Sequence, residues 1–138
     1  MFTRVMEIEI EFGECDPASI VYFPNYYRFF DNATAHLVSA ALGMNKRQWT
    51  QRHGIAGIPV VDIRTSFRAP SRFGDRVRIE SRVLKVGRTS LGIGHRLMNG
   101  AVLGVEGEET RVWIGADGDA LKPLPIPDAV REALEAGP

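Results

Sequence analysis

The stretch EFGECDPASIVYFPNYYRFFDNA, Glu11 to Ala33, decides how this chain folds. It starts as the end of a strand, breaks at Asp16-Pro17, crosses four apolar residues and breaks again at Pro24-Asn25. A lone acid therefore sits beside a proline, in an apolar segment that leads into a helix. Upstream, Met6 to Phe12 alternates apolar and charged with period two, which predicts a half-buried strand. Gly13 to Ser19 reads as a loop. Downstream, Tyr26, Phe29, Phe30, Ala33, Leu37, Ala40 and Ala41 recur at spacings of three and four, the stripe of an amphipathic helix. Gly43 is its natural stop.

The rest of the chain has a different rhythm. Ile58 to Ala69, Arg76 to Val86, Ser90 to Met98 and Val102 to Ile114 are rich in Val, Ile, Thr and Phe. Pro70, Gly74-Asp75, Gly87 and Asn99-Gly100 separate them, and Asn-Gly between two such runs is a hairpin signal. Val77, Ile79, Ser81 and Val83 alternate with Arg76, Arg78, Glu80 and Arg82, so these are antiparallel strands with one wet face. The tail from Pro123 to Pro138 is proline-rich and ends in a short helix starting at Pro127 or Asp128. Strand, loop, one long helix and four more strands make an α+β layout, a helix on one face of a curved antiparallel sheet of about five strands. No linker divides residues 1–138, so a single domain is expected. Long edge strands favour pairing with a second copy, hence a homo-oligomer.

Composition excludes several classes. The chain of 138 residues carries 17 basic and 17 acidic residues, so no charge excess points to nucleic acid or an anionic membrane surface. The single cysteine, Cys15, rules out an internal disulfide framework. The start of the chain lacks the apolar core of a signal peptide, and no apolar run is long enough to span a bilayer. A cytoplasmic protein is the expectation. There is no G-x-S-x-G elbow, no H-E-x-x-H and no glycine-rich phosphate loop after a strand. His36, His53 and His95 are scattered and offer no metal site. Cys15 has no histidine near it in sequence and reads as a small buried thiol.

Asp16-Pro17-Ala18, Ile20-Val21-Tyr22-Phe23-Pro24-Asn25-Tyr26, Arg28 and Asp31, with the later HGIAGIPVV, resemble the hot-dog-fold acyl-CoA thioesterases, in particular the 4-hydroxybenzoyl-CoA thioesterase branch. The resemblance covers the whole chain. It implies a hot-dog fold, sheets paired edge to edge in dimers, dimers associated into a homotetramer, and active sites between subunits. It implies acyl-CoA as substrate and no cofactor or metal.

Thioester hydrolysis needs stabilisation of the carbonyl oxygen as it gains charge and a base or nucleophile near the carbonyl carbon. The resemblance assigns the second task to Asp16, as nucleophile or as general base on water. A loop Asp forming an Asx-turn over Pro17 is the structural alternative. The resemblance assigns the first task to the backbone N–H of Phe23, near the helix N-terminus; the enzyme that typifies the branch has Tyr here, but a backbone donor does not need the hydroxyl. Asn25 is expected to cap the helix, and an Asn here, in place of the histidine of related short-chain thioesterases, argues against that branch. The resemblance makes Asp31 of a neighbouring subunit the partner of a substrate ring hydroxyl; an exposed Asp paired with Arg28 at spacing three is the alternative. Trp49, Ile58 and Pro59 are candidates for lining the acyl pocket, with core packing as the competing role. Arg88, in the turn between two strands, is a candidate contact for the CoA phosphates, in a region less basic than the family's usual pattern.

Three functions stay open on these residues. The first is hydrolysis of an aromatic, hydroxylated acyl-CoA. The second is hydrolysis of a short aliphatic acyl-CoA or acyl carrier protein thioester. The third is a non-catalytic acyl-binding hot-dog module.

Overall fold

The computed structural model describes residues 1–117 and 120–137. Strand β1 (Thr3–Glu9) leads to a 3-10 turn at Phe12–Glu14, and helix α1 (Pro24–Leu42) follows the Asp16 loop. The expected strand thus starts and ends earlier: Ile10 is buried, and Phe12 belongs to the turn. Helix α1 has 19 residues, begins with Pro24 in its first turn and ends where Gly43 adopts a left-handed φ of 67°. A second helix, α2 (Lys46–His53), was not expected; Asn45 caps it by accepting from the Gln48 N–H, and Gln48 answers in a capping box.

Strands β2 (Val60–Phe67), β3 (Arg76–Val86), β4 (Ser90–Asn99) and β5 (Val102–Val112) follow. Together with β1 they form one antiparallel sheet in the order β1-β3-β4-β5-β2. Asn99-Gly100 makes the β4–β5 hairpin, with Gly100 at φ 60°. A small hairpin of β6 (Ile114–Asp117) and β7 (Ala120–Pro123) was not foreseen; the residues between its strands, and Pro138 at the end of the expected tail, lie outside the described residues. Helix α3 (Asp128–Glu135) closes the chain where the tail helix was expected. No described helix is long and apolar enough to cross a membrane.

The core has two apolar blocks under α1. Tyr26, Phe29, Phe30 and Ala33 pack on Ile10, Val77, Ile79, Leu97 and Val105. Leu37 and Val38 pack on Trp49, Ile93, Trp113, Val130 and Leu134. Between the blocks lies a polar layer. Thr34 of α1, Ser81 of β3, His95 of β4, and Glu109 and Arg111 of β5 are all buried. The strand period puts Ser81, His95, Glu109 and Arg111 on the face that carries Val83, Leu97, Val105 and Trp113. Strand β2 is an edge of the sheet, and Val60, Val61 and Phe67 on it are exposed.

Candidate active site

Asp16 sits at the start of a tight reversal. Its N–H donates to the Ile20 carbonyl (2.9 Å), and its carbonyl accepts from Ser19 N–H (2.9 Å). Pro17 takes the second turn position, where its fixed φ costs nothing. Ser19 then adopts a left-handed φ of 65°, the bulge residue of a three-residue reversal. Asp16 Oδ1 accepts from Ala18 N–H at 2.8 Å, so the Asx-turn does form. That bond fixes the carboxylate through one oxygen; Oδ2 has no hydrogen-bond donor among the described residues. The acid lines an open cleft of about 520 Å³ with Phe12, Cys15, Pro17, Ser19, Arg72 and Phe73.

The reversal is tied directly to the start of α1. Cys15 pairs with Val21, and Tyr22 N–H donates to the Glu14 carbonyl at 2.9 Å. Phe23 is the N-cap residue, with helical φ and ψ of −54° and −34°. Its N–H donates to no acceptor among the described residues, and the residue is 57% exposed. A free N–H at the positive end of a 19-residue helix is a ready donor for an oxygen that gains charge.

Glu14, which sequence reasoning passed over, organises this corner. It is buried, accepts from its own turn at Glu11 N–H (2.8 Å), and forms an ion pair with Arg28. Its carbonyl also accepts from the Asn25 side chain at 2.8 Å. Two expectations change here. Asn25 does not cap the helix; it lies one residue beyond Pro24 inside α1 and its amide ties the helix to the turn. Arg28 does not pair with Asp31; it turns the other way, to Glu14, and covers the Phe29 ring at 5.3 Å.

Asp31 pairs with Arg111 instead, Oδ1 to Nη1 at 2.9 Å. The Arg111 side chain is 4% exposed and that of Asp31 57%. Arg111 Nη1 also donates to the Ile58 carbonyl (3.0 Å), and its Nε and Nη2 donate to Glu109 Oε1 (2.7 Å) and Oε2 (3.3 Å). Behind Glu109, Thr34 Oγ1 donates to Oε1, His95 Nε2 lies 3.3 Å from the same oxygen, and Ser81 Oγ lies 2.7 Å from His95 Nδ1. Phe30 stacks on His95 at 4.8 Å. Burial pushes the Glu109 carboxyl up, but the bonds from His95 and Arg111 outweigh it and hold the group at about 2.

The other candidates separate. The Trp49 indole is fully buried, stacked on Trp113 at 6.2 Å and donating to Ser39 Oγ at 3.1 Å, so it packs the core and presents no surface to a ligand. The Ile58 side chain is also in the core, and only its carbonyl reaches Arg111. Pro59 is exposed at the start of β2. Arg88 is exposed in the β3–β4 turn, the full length of β3, on the order of 30 Å, from the Arg72 end that borders Asp16. Arg72 and Phe73 were missed because a loop arginine carries no periodic signal. Glu109 and Arg111 were legible: they fall in step with buried Val105 and Trp113 on one strand face. The larger concavity, about 640 Å³, lies on the sheet face turned away from α1, among Glu80, Arg82, Arg96 and Glu106, and includes neither Asp16 nor Asp31.

Known proteins are similar to this chain in sequence and fold. A 4-hydroxybenzoyl-CoA thioesterase of Pseudomonas sp. (strain CBS-3) is 32% identical over 127 residues, 88% of this chain and 90% of the relative. A 1,4-dihydroxy-2-naphthoyl-CoA hydrolase of Synechococcus elongatus is 31% identical over 88 residues, 64% of each chain. The crystal structure of a 4-hydroxybenzoyl-CoA thioesterase mutant complexed with 4-hydroxybenzoyl-CoA superimposes with a TM-score of 0.91 at 29% identity, covering 98% of this chain and 100% of that one. The family model described as the thioesterase-like superfamily matches residues 10–134, from buried Ile10 just past β1 to the last buried residue of α3. With a five-stranded antiparallel sheet on α1 and a family model matching nearly the whole length, the chain belongs to the hot-dog thioesterases of this superfamily.

Proposed function

We propose that this chain hydrolyses acyl-CoA thioesters whose acyl group is a hydroxylated aromatic ring, of the 4-hydroxybenzoyl kind. Asp16 acts on the thioester carbonyl, as nucleophile or as general base on water. The Phe23 N–H takes the developing oxyanion, a contribution on the order of 3 kcal/mol for one such donor. The thiolate of CoA leaves without a strong general acid. The observation that carries this reading is the joining of two groups by one short hairpin: a carboxylate with one oxygen free, and an unpartnered N–H at the head of α1.

Asp31 supplies the recognition of the ring hydroxyl. It lies eight residues beyond Phe23 on α1. The family resemblance gives this Asp to a substrate held at the Asp16 of a neighbouring protomer. A homo-oligomer supplies the other half of each site. Edge strand β2 exposes Val60, Val61 and Phe67, and pairing two copies of it antiparallel sets the Phe23–Phe67 corner of one protomer against the Pro59–Arg111 corner of its partner. The same argument gives Arg88 to a CoA bound in another protomer's cleft, while Arg72 is the cation beside Asp16. A homotetramer built from such dimers, in the cytoplasm, completes the proposal.

Release of free thiol from a panel of acyl-CoAs tests it. Wild type is expected to prefer 4-hydroxybenzoyl-CoA, and Asp16→Asn to lose about 10²–10⁴ in rate, the range of general acid–base or nucleophilic help. Equal low rates for the two proteins would support the acyl-binding module. Preference for short aliphatic thioesters would support the second enzyme reading.

A further inference from the structure

The guanidinium of Arg111 gathers four partners from three parts of the fold. Both Glu109 oxygens lie on its own strand, the Ile58 carbonyl precedes β2, and Asp31 comes from α1. Glu109 alone neutralises it, through two bonds inside the core. Asp31 is not needed to balance the charge, and its 57% exposure shows that it is not itself buried by the pair. A buried arginine of this kind costs desolvation, and its net contribution to stability is small when the pair is complete. Its distinctive effect is geometric: a planar fork held on one side by the core and aimed on the other at a single surface carboxylate.

The platform behind it is rigid. Glu109 is held by Thr34 of α1 and by His95, which is itself held by Ser81 and stacked on Phe30. Both ring nitrogens of His95 have partners: Nε2 faces Glu109 and Thr34, and Nδ1 faces the Ser81 hydroxyl. Asp31 Oδ1 is thereby fixed, and its Oδ2 has no donor among the described residues.

We propose that Arg111 is a positioning residue for acyl-group selection: anchored by Glu109 and the Ile58 carbonyl, it fixes one oxygen of Asp31 and aims the other at the hydroxyl of an aromatic acyl group. The inference rests on the reading that Asp31 meets that hydroxyl. It adds a residue 80 positions away that decides how well Asp31 does so. An isolated aspartate on a helix surface samples several rotamers. One tied to a buried guanidinium meets the substrate without losing that freedom at the moment of binding.

The test is the ratio of kcat/KM for 4-hydroxybenzoyl-CoA to that for benzoyl-CoA, which lacks the hydroxyl. Loss of one hydrogen bond to a charged group corresponds to about tenfold to a hundredfold in such a ratio. Arg111→Gln is expected to lower the ratio by about tenfold or more, and Asp31→Ala by at least as much. The Asp31→Ala/Arg111→Gln protein is expected to be no less selective than Asp31→Ala alone, because both changes break one device. Arg111→Gln leaves Glu109 buried without its partner, so Arg111→Gln/Glu109→Gln, which leaves no lone charge, is measured as well. A ratio that falls in Asp31→Ala but stays at the wild-type value in Arg111→Gln and in Arg111→Gln/Glu109→Gln overturns the inference and leaves the substrate reading standing. A ratio untouched by Asp31→Ala, in an enzyme that still cleaves thioesters, overturns that reading and the inference with it.

Discussion

Replacing Glu109 by Gln keeps the side-chain shape and removes the charge at the centre of the polar layer. The carboxylate accepts from Arg111, Thr34 and His95 in a fully buried setting. The cost follows from its titration. Glu109 is held at about 2 against an ordinary 4.5, a gap equivalent to about 3 kcal/mol of folding free energy at neutral pH. Breaking a buried ion pair from one side costs about 3–5 kcal/mol, which agrees. Because the folded value lies below the unfolded one, this stability is complete above the unfolded value and is lost as pH falls toward the folded one. At pH 3 the same linkage leaves about 1 kcal/mol. Urea unfolding of wild type and Glu109→Gln, at one protomer concentration, measures both points. At pH 7 the mutant midpoint is expected about 1–2 M lower, for a slope of about 2 kcal/mol per M. At pH 3 the gap is expected to narrow to about 0.5 M. A difference at pH 7 below about 1 kcal/mol, or one that does not narrow in acid, would refute the account of the layer.

Three further outcomes follow from the geometry. Phe23 already has a φ of −54°, which proline accepts, so Phe23→Pro is expected to fold, remove the candidate oxyanion donor and slow thioester cleavage by about 10²–10³; Phe23→Ala, which keeps the N–H, is the comparison, and equal rates for the two would remove the donor from the mechanism. Arg72→Ala is expected to raise KM for acyl-CoA several-fold with kcat little changed, as expected of uniform binding; steady-state kinetics on a CoA ester and on its truncated N-acetylcysteamine analogue check it, since only the CoA ester carries the phosphates. Gly107→Ala places a Cβ 3.2 Å from the Phe30 ring and 3.3 Å from Thr65 Oγ1, and is expected to lower stability by about 1–3 kcal/mol, read by thermal unfolding.

Sequence patterns carried local order well and contacts between distant residues poorly. The aromatic stripe from Tyr26 to Leu37 and the Gly43 stop marked α1, because helix periodicity and a left-handed cap are written in neighbouring residues. The same holds for the Asn-Gly hairpin and for Asp16 beside Pro17, where turn chemistry acts within four residues. Helix α2 escaped because Lys46–His53 has little apolar stripe; the Asn45–Gln48 capping box was its visible mark.

What the chain alone decided was therefore most of the elements, the two faces of each strand, and the Asp16-Pro17 reversal that leads into α1. Only the tertiary structure decided which charges meet. Arg28 chose Glu14 over Asp31, and Asp31 chose Arg111. Such choices depend on how α1 lies across β5 and on the strand order that leaves β2 at an edge. An ion pair between residues 80 apart has no periodicity to announce it, because Coulomb attraction and hydrogen bonding depend on distance in space, and that distance exists only once the helix has packed on the sheet.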